Sequence, residues 1–454
     1  MTLASDAREG RVRLRRVRLA ELTGSERTAI VDRAATATPE LRAEVRAIVD
    51  AVRLGGDDAL RDLGARLGGS LPSPAPGAPP PLAVPPADLR AARDALSREL
   101  RDGLETMATN IERFHRAQVP PSEQWVEVAP GIRVGRVWRG LDRVAAYVPG
   151  GTAAYPSSLL MSAIPARLAG ARELVVASPA AGDGTVSGAL LGAAGLLGIE
   201  ELYVMGGAQA IAALAYGTAT IRPVDKIVGP GNAWVTAAKL EVFGRCAIDL
   251  PAGPTEVMVV ADDTADPVHV AADLLSQAEH GPDSPALLVT PSPTLADAVE
   301  AEVQRQLPTL SRQGPLRASL LAGGTIVLSD DLDAALAFAD EYAPEHLTVL
   351  VRDEEAALGR LRHAGSLFLG RYAPESAGDY ATGSNHVLPT GRLARAYGAL
   401  SVESFGRWMQ VQRVSRDGLA SIMPAVAAVA EAEGLTAHRR AVEIRFEGGS
   451  EATA

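Results

Sequence analysis

Gln277 and His280 stand three apart in "QAEHGPDS" (277–284), closing a segment, "DPVHVAADLLSQAEH", whose apolar residues recur at three and four. On a helix this spacing sets an amide oxygen and an imidazole on one face within one turn, which could grip a metal ion. Taken alone, the pair reads as an ordinary helix end, with a histidine favoured by the helix dipole and Gly281 and Pro282 as the stop. A second pair, Glu345 and His346 in "EYAPEHL", precedes the strand-like "LTVLV", and Pro344 restricts the backbone before it. A carboxylate and an imidazole, with ordinary pKa values of about 4.3 and 6.5, could serve two proton transfers. From this stretch alone, a solvated pair is the plainer reading.

Histidine is scarce, with 7 in the chain. His115, His269 and His363 fall on helical patterns and read as structural, whereas His280, His386 and His438 lie in polar surroundings near Gly, Asp or Glu. The metal candidates are Gln277, His280, Asp379 and His438, a mixed nitrogen and oxygen set suited to zinc or a neighbouring first-row ion. No H-E-x-x-H or C-x-x-C occurs, and spacing alone does not select this set. Glycines cluster after strand-like runs at Gly150–Gly151, Gly206–Gly207 and Gly229–Gly231, where backbone could approach a phosphate at a helix N-terminus. Tyr147, Gln209 and Asn232 stand beside them. Tight turns and capping explain any one of these; together at one sheet edge they favour a ligand cleft, although "GPGNAW" supplies only half of a G-x-G-x-x-G.

The elements that must position these residues alternate along the chain. Residues 26–66 and 88–118 carry helical patterns, separated by "LPSPAPGAPPPLAVPP" (71–86), an exposed connection that can sustain neither helix nor central strand. From residue 142, the short apolar runs "RVAAYVP", "ELVVASP", "ELYVMGG" and "KIVGPG" alternate with helical stretches at 156–170, 184–197, 208–216 and 232–243. This is βα repetition, which predicts a parallel sheet with its ligand at the carboxyl ends of the strands. A second series runs from "EVMVVAD" (256–262) through "ALLVT", "GTIVLS", "LTVLV" and "SLFLG", and after a glycine-rich stretch at 377–401 the tail reads as helix. No solenoid repeat is visible.

Composition narrows the classes. At 454 residues, 47% apolar and 22% charged, the chain suits a multidomain α/β protein with a sizeable core. A net charge of −11 argues against nucleic acid or an anionic membrane as partner. The one basic run, "RVRLRRVRL" (11–19), alternates like an edge strand with a solvated arginine face. Cys246 is the only cysteine, which excludes intrachain disulfides and cysteine zinc clusters and fits a reducing cytoplasm. No secretory h-region is present, and the longest apolar stretch, "GALLGAAGLLGI", is too short to span a bilayer.

Eight collinear blocks then acquire a common meaning: "YVPGG", "GGAQAIAALAYGT", "KIVGPGNAWVTAAK", "IDLPAGPTEV", "LLSQAEHGPDS", "YAPEHL", "GDYATGSNHVLPT" and "EGLTAHRRAV". From about residue 20 to 446 the chain resembles the histidinol dehydrogenase family, NAD-dependent zinc enzymes that end histidine biosynthesis. The resemblance implies two incomplete Rossmann-like parallel-sheet domains and a small C-terminal helical tail, in a segment-exchanged homodimer. The expected division is an arm at 1–25, a first α/β domain at 26–146 and 257–400, an NAD-binding domain at 147–256, and a dimerisation tail at 401–454.

The resemblance also assigns roles. It implies zinc on Gln277, His280, Asp379 and His438, acid–base chemistry by Glu345 and His346, and NAD contacts at Tyr147, Gln209 and Asn232. Thr255, His386 and Glu433 match substrate contacts, joined by His346 and the four zinc ligands; Thr255 stands where some relatives have serine and keeps the hydroxyl. The implied reaction takes L-histidinol through an aldehyde to L-histidine with two NAD⁺. The tail, carrying Glu433 and His438, would complete the partner's site. Two other readings stand beside this one: a relative that oxidises another small alcohol, such as a sulfonated diol, and a non-catalytic zinc-stabilised scaffold.

Overall fold

The computed structural model describes residues 12–33, 37–67, 82–150, 155–181 and 184–447; Gly151 and most of the proline-rich segment lie outside them. The chain divides into two compact units, one of Met1–Gln118 with Leu141–Phe405, the other of Val119–Gly140 with Gly406–Ala454.

The larger unit holds two six-stranded sheets. In one, the strands run in the order Arg15–Arg18, Thr325–Leu328, Ala286–Thr290, Val257–Ala261, His346–Leu350 and Ser366–Leu369, all parallel. Four of these strands, TIVL, VMVVA, ALLVT and HLTVL, are buried along their whole length, as expected of strands covered by helices on both faces. The basic run does form an edge strand, and three of its four residues are exposed. Because Arg15–Arg18 pairs with Thr325–Leu328, part of the segment expected to be a separate arm belongs to this sheet.

The second sheet has the order Ala83–Val84, Glu201–Val204, Glu173–Ser178, Arg143–Tyr147, Lys226–Val228 and Ala247–Ile248, parallel except for the short first strand. In both sheets the direction of winding reverses beside the earliest central strand, Val257–Ala261 in one and Arg143–Tyr147 in the other, which is the doubly wound pattern. The crossover helices of the second sheet, Pro156–Leu168, Gly188–Leu196, Gly207–Tyr216 and Ala233–Val242, fall where the periodicity placed them.

The expected grouping of residues 26–146 with the first sheet fails beyond its start: Val31 packs with Met258 and Val260 of that sheet, but the rest of the range goes elsewhere. Val45, Val49 and Val52 of helix Pro39–Arg66 share a core with Ile211 and Leu214 of the second sheet's helices. The apolar stripe of that helix can serve either sheet, so its own pattern does not choose. Strands Glu123–Ala129 and Ile132–Gly140 leave the larger unit altogether; in the smaller one, Ile132–Gly140 is the middle strand, antiparallel to Glu123–Ala129 on one side and to Gly406–Val414 on the other. The tail is therefore not wholly helical: a nine-residue strand precedes helices Arg416–Ala432 and Thr436–Glu443. The β-favouring Trp408, Val411 and Val414 of "GRWMQVQRV" are a strand signal, but they do not alternate, so periodicity does not mark the strand.

Candidate active site

The site begins at the amino ends of two neighbouring strands in the first sheet. Val257 pairs with His346, so Glu256 and Glu345 sit side by side just before their strands start. This reverses the end of the sheet at which a doubly wound fold ordinarily binds its ligand. The backbone N–H of Glu256 donates to Oε2 of Glu345 (2.9 Å), and its carbonyl oxygen lies 3.1 Å from Nδ1 of His346. A carbonyl can only accept, so Nδ1 carries the ring proton and Nε2 keeps its lone pair. Nε2 is buried without a hydrogen-bond partner, 3.8 Å from Oδ1 of Asp379. Burial pushes the imidazole down to about 3, so the ring is a neutral base at physiological pH.

Asp379 rides on the short helix Glu375–Tyr380, one turn after Glu375. Glu375 is 1% exposed, neither of its carboxylate oxygens makes a hydrogen bond, and Oε1 lies 3.4 Å from Nδ1 of His346. Sequence reading passed over this residue, although its position four before Asp379 was a usable signal. Helix Pro267–Ala278 brings the other pair. Asp266 caps it by accepting from Val268 N–H, Pro267 opens it, and it ends one residue after Gln277. His280 thus lies just beyond the helix, on a further turn closed by its N–H to the Gln277 carbonyl. Gln277 is wholly buried and both atoms of its amide lack partners.

Ligand atoms of His280, Glu375 and Asp379 all lie within 4.8 Å of one another. Burial raises Glu345 and Glu375 well above the usual carboxylate range and Asp379 to about 7, and Asp273, one turn before Gln277, is likewise pushed up to about 7. Orphaned buried oxygens, a free amide and neutral imidazoles form a nitrogen and oxygen donor set that fits a divalent cation, and a cation there would reverse the carboxylate shifts.

His386 closes another side. Its Nδ1 donates to the Asp379 carbonyl and its Nε2 accepts from the Ser158 hydroxyl, each at 3.1 Å. The Thr255 hydroxyl favours the ionised form of the Glu345 carboxyl, against the larger effect of burial. A cavity of about 680 Å³, lined by Tyr155, Ser157, His280, Asp379 and Tyr380, opens onto this cluster. A second, of about 590 Å³, has His280 in its wall too and runs past Gly231, Asn232, Gly253 and Pro282.

That second cavity meets the carboxyl ends of the other sheet's strands. The Tyr147 hydroxyl accepts from the Gly207 N–H at 3.1 Å, tying one glycine turn to the next. Gly229 has φ 112°, and a Cβ there would fall 2.0 Å from the Tyr147 carbonyl oxygen, so only glycine fits. Asn232 caps helix Ala233–Val242, accepting from Trp234 and Val235 N–H, and Gln209 is buried in the first turn of Gly207–Tyr216. Glu433 and His438 belong to the smaller unit and are both exposed there.

Two doubly wound sheets, glycine turns at the carboxyl ends of one and a buried Glu–His pair at the amino ends of the other, define a cleft enzyme of the α/β class. The profile of the family described as histidinol dehydrogenase matches residues 31–446. Histidinol dehydrogenase of Vibrio parahaemolyticus is 45% identical over 94% of this chain and 97% of its own length, and that of Rhizobium meliloti 47% identical over 91% and 93%. The crystal structure of histidinol dehydrogenase from Elizabethkingia anophelis superposes with a TM-score of 0.88 at 36% identity, covering 96% of this chain and 98% of that one. The chain belongs to the histidinol dehydrogenase family and is an oxidoreductase.

Proposed function

We propose that this enzyme oxidises L-histidinol through L-histidinaldehyde to L-histidine, using two NAD⁺ in sequence. The observation that carries the reading is the set of His346: Nδ1–H is bound to the Glu256 carbonyl and the buried Nε2 is left free beside Asp379. Bound NAD⁺ supplies the hydride acceptor, and a zinc ion on Gln277, His280, Asp379 and the partner's equivalent of His438 supplies a charge that orients the substrate. Nε2 of His346 takes the hydroxyl proton as the alcohol becomes an aldehyde. Glu345 takes a proton from water as the water oxygen adds to the aldehyde carbon, and the hydrate is oxidised to the carboxylate. Thr255, His386 and Glu433 contact the substrate.

Tyr147, Gln209 and Asn232 serve the cofactor, in a cleft supported by the glycine turns at the carboxyl ends of the second sheet. A homodimer in which each tail completes the partner's site accounts for exposed Glu433 and His438, and for the apolar residues Val126, Val128, Val429 and Ile444, at 50–62% exposure. Among the described residues no helix is long and apolar enough to cross a membrane; a cytoplasmic location is the reading that a biosynthetic role and a lone cysteine support. Purified protein given NAD⁺ should form NADH with L-histidinol and none with a sulfonated diol. The reverse pattern would replace histidinol with the diol, and no turnover of either would favour a scaffold.

A further inference from the structure

Glu256 holds both halves of the acid–base pair, yet only through its backbone. Its N–H binds the Glu345 carboxylate, and its carbonyl accepts from both the Nδ1 and the backbone N–H of His346, the latter at 3.2 Å. What fixes the backbone on both sides of that Cα is the side chain. The Glu256 carboxylate, 2% exposed, receives a two-pronged grip from Arg33, Nε to Oε2 at 2.5 Å and Nη2 to Oε1 at 2.8 Å, with the Gly391 N–H at 3.2 Å.

Arg33 does more than neutralise a buried charge. Nη2 also donates to the Tyr342 carbonyl at 3.1 Å, and the guanidinium lies over the Tyr342 ring, 3.2 Å from its centre. Tyr342 ends helix Leu332–Tyr342, and Ala343 after it takes a left-handed φ of 50°, an unfavoured conformation for a residue with a Cβ. The chain then enters Pro344, Glu345 and His346. One guanidinium therefore grips both segments that meet at the site, the Glu256 peptide and the turn leading into the pair.

We infer that Arg33 and Glu256 are positioning residues that set the tautomer of His346 and the orientation of Glu345 together, through the two peptide groups that flank the Glu256 Cα. The inference rests on the roles proposed for that pair. Only a planar fork can make this grip; lysine keeps the charge and loses the geometry. A shift of about 1 Å at a reacting group can cost up to a hundredfold in rate.

The test uses zinc-loaded enzyme and Arg33→Lys. The expected result is a fall in kcat of roughly tenfold or more with L-histidinol and by a similar factor with L-histidinaldehyde, with KM for substrate and NAD⁺ within about twofold. Because Arg33→Lys could unfold the chain, Arg33→Met with Glu256→Leu is the second variant: apolar replacement of a buried ion pair commonly keeps the fold, and here it should lose the rate. In ¹⁵N-histidine NMR, with the His346 signals assigned by His346→Asn, wild type should show the Nδ1–H tautomer and Arg33→Lys a mixture. Folded variants with wild-type kcat and tautomer, or slowing of one oxidation alone, would overturn the inference. Wild type inert towards histidinol would defeat the functional reading instead, and the tautomer measurement would still decide for or against the clamp.

Discussion

Nδ1 of His346 lies 3.1 Å from the carbonyl oxygen of Glu256, and this contact decides which ring nitrogen is a base. His346→Ala should therefore slow the first oxidation by roughly a hundred- to ten-thousandfold with little change in KM. Glu345→Gln should act chiefly on the second, where water must be activated. Single-turnover NADH formation from histidinol and from the aldehyde separates the two effects.

Glu375 gives a prediction in which two effects have opposite sign. In metal-free protein its carboxylate is buried, unpartnered and close to Asp379 and Glu345, both of which push its pKa further up. An unsatisfied buried group costs about 1–3 kcal/mol, so Glu375→Gln should leave apo-protein melting unchanged or a few degrees higher. The same change removes a charge that favours a cation, and zinc affinity should fall by about ten- to a hundredfold. Calorimetric melting of chelated protein and zinc titration check the two signs.

The second sheet carries a pH-dependent support far from the site. Hydrogen bonds from Arg143, and then from the Tyr203 hydroxyl, hold Glu201 down to about 2. Its unfolded value is about 4.3, so its stabilisation is complete above that pH and is lost as pH falls towards 2. Glu201→Gln should melt lower than wild type at pH 7, and the gap should narrow steadily below about pH 4.3. A constant gap down to pH 3 would show that Arg143 does not act through the Glu201 charge.

Cys246 is 2% exposed, its thiol donates to the Val224 carbonyl at 3.3 Å, and burial, with Asp225 nearby, pushes it up to about 12. A thiol so placed is neither nucleophile nor redox sensor. Native protein should resist iodoacetamide at pH 8 and keep its activity, and should react once unfolded. Mass spectrometry of the Cys246 peptide records both outcomes.

The βα rhythm from residue 142 onward was legible because buried strands bounded by glycine and proline differ sharply from amphipathic helices. Glu345 and His346 were legible for their chemistry but not their surroundings: their burial comes from strand pairing with residues almost ninety positions away. Gln277 looked like a helix end and is one, and that its amide is wholly buried without a partner follows only from the fold. Glu375, Glu256 and Arg33 went unread because each looks like a surface charge until the chain is folded. The partner sheet of helix Pro39–Arg66 was equally hidden, since an amphipathic stripe specifies that a face is covered, not by what.

The central claim is that one acid–base pair serves two oxidations of one held molecule. The direct measurement is the number of NADH formed per L-histidine by zinc-loaded enzyme under excess NAD⁺, with free aldehyde trapped by semicarbazide. Two NADH per histidine and almost no trapped aldehyde are expected; one NADH with stoichiometric trapped aldehyde would rule out a second oxidation in the same site.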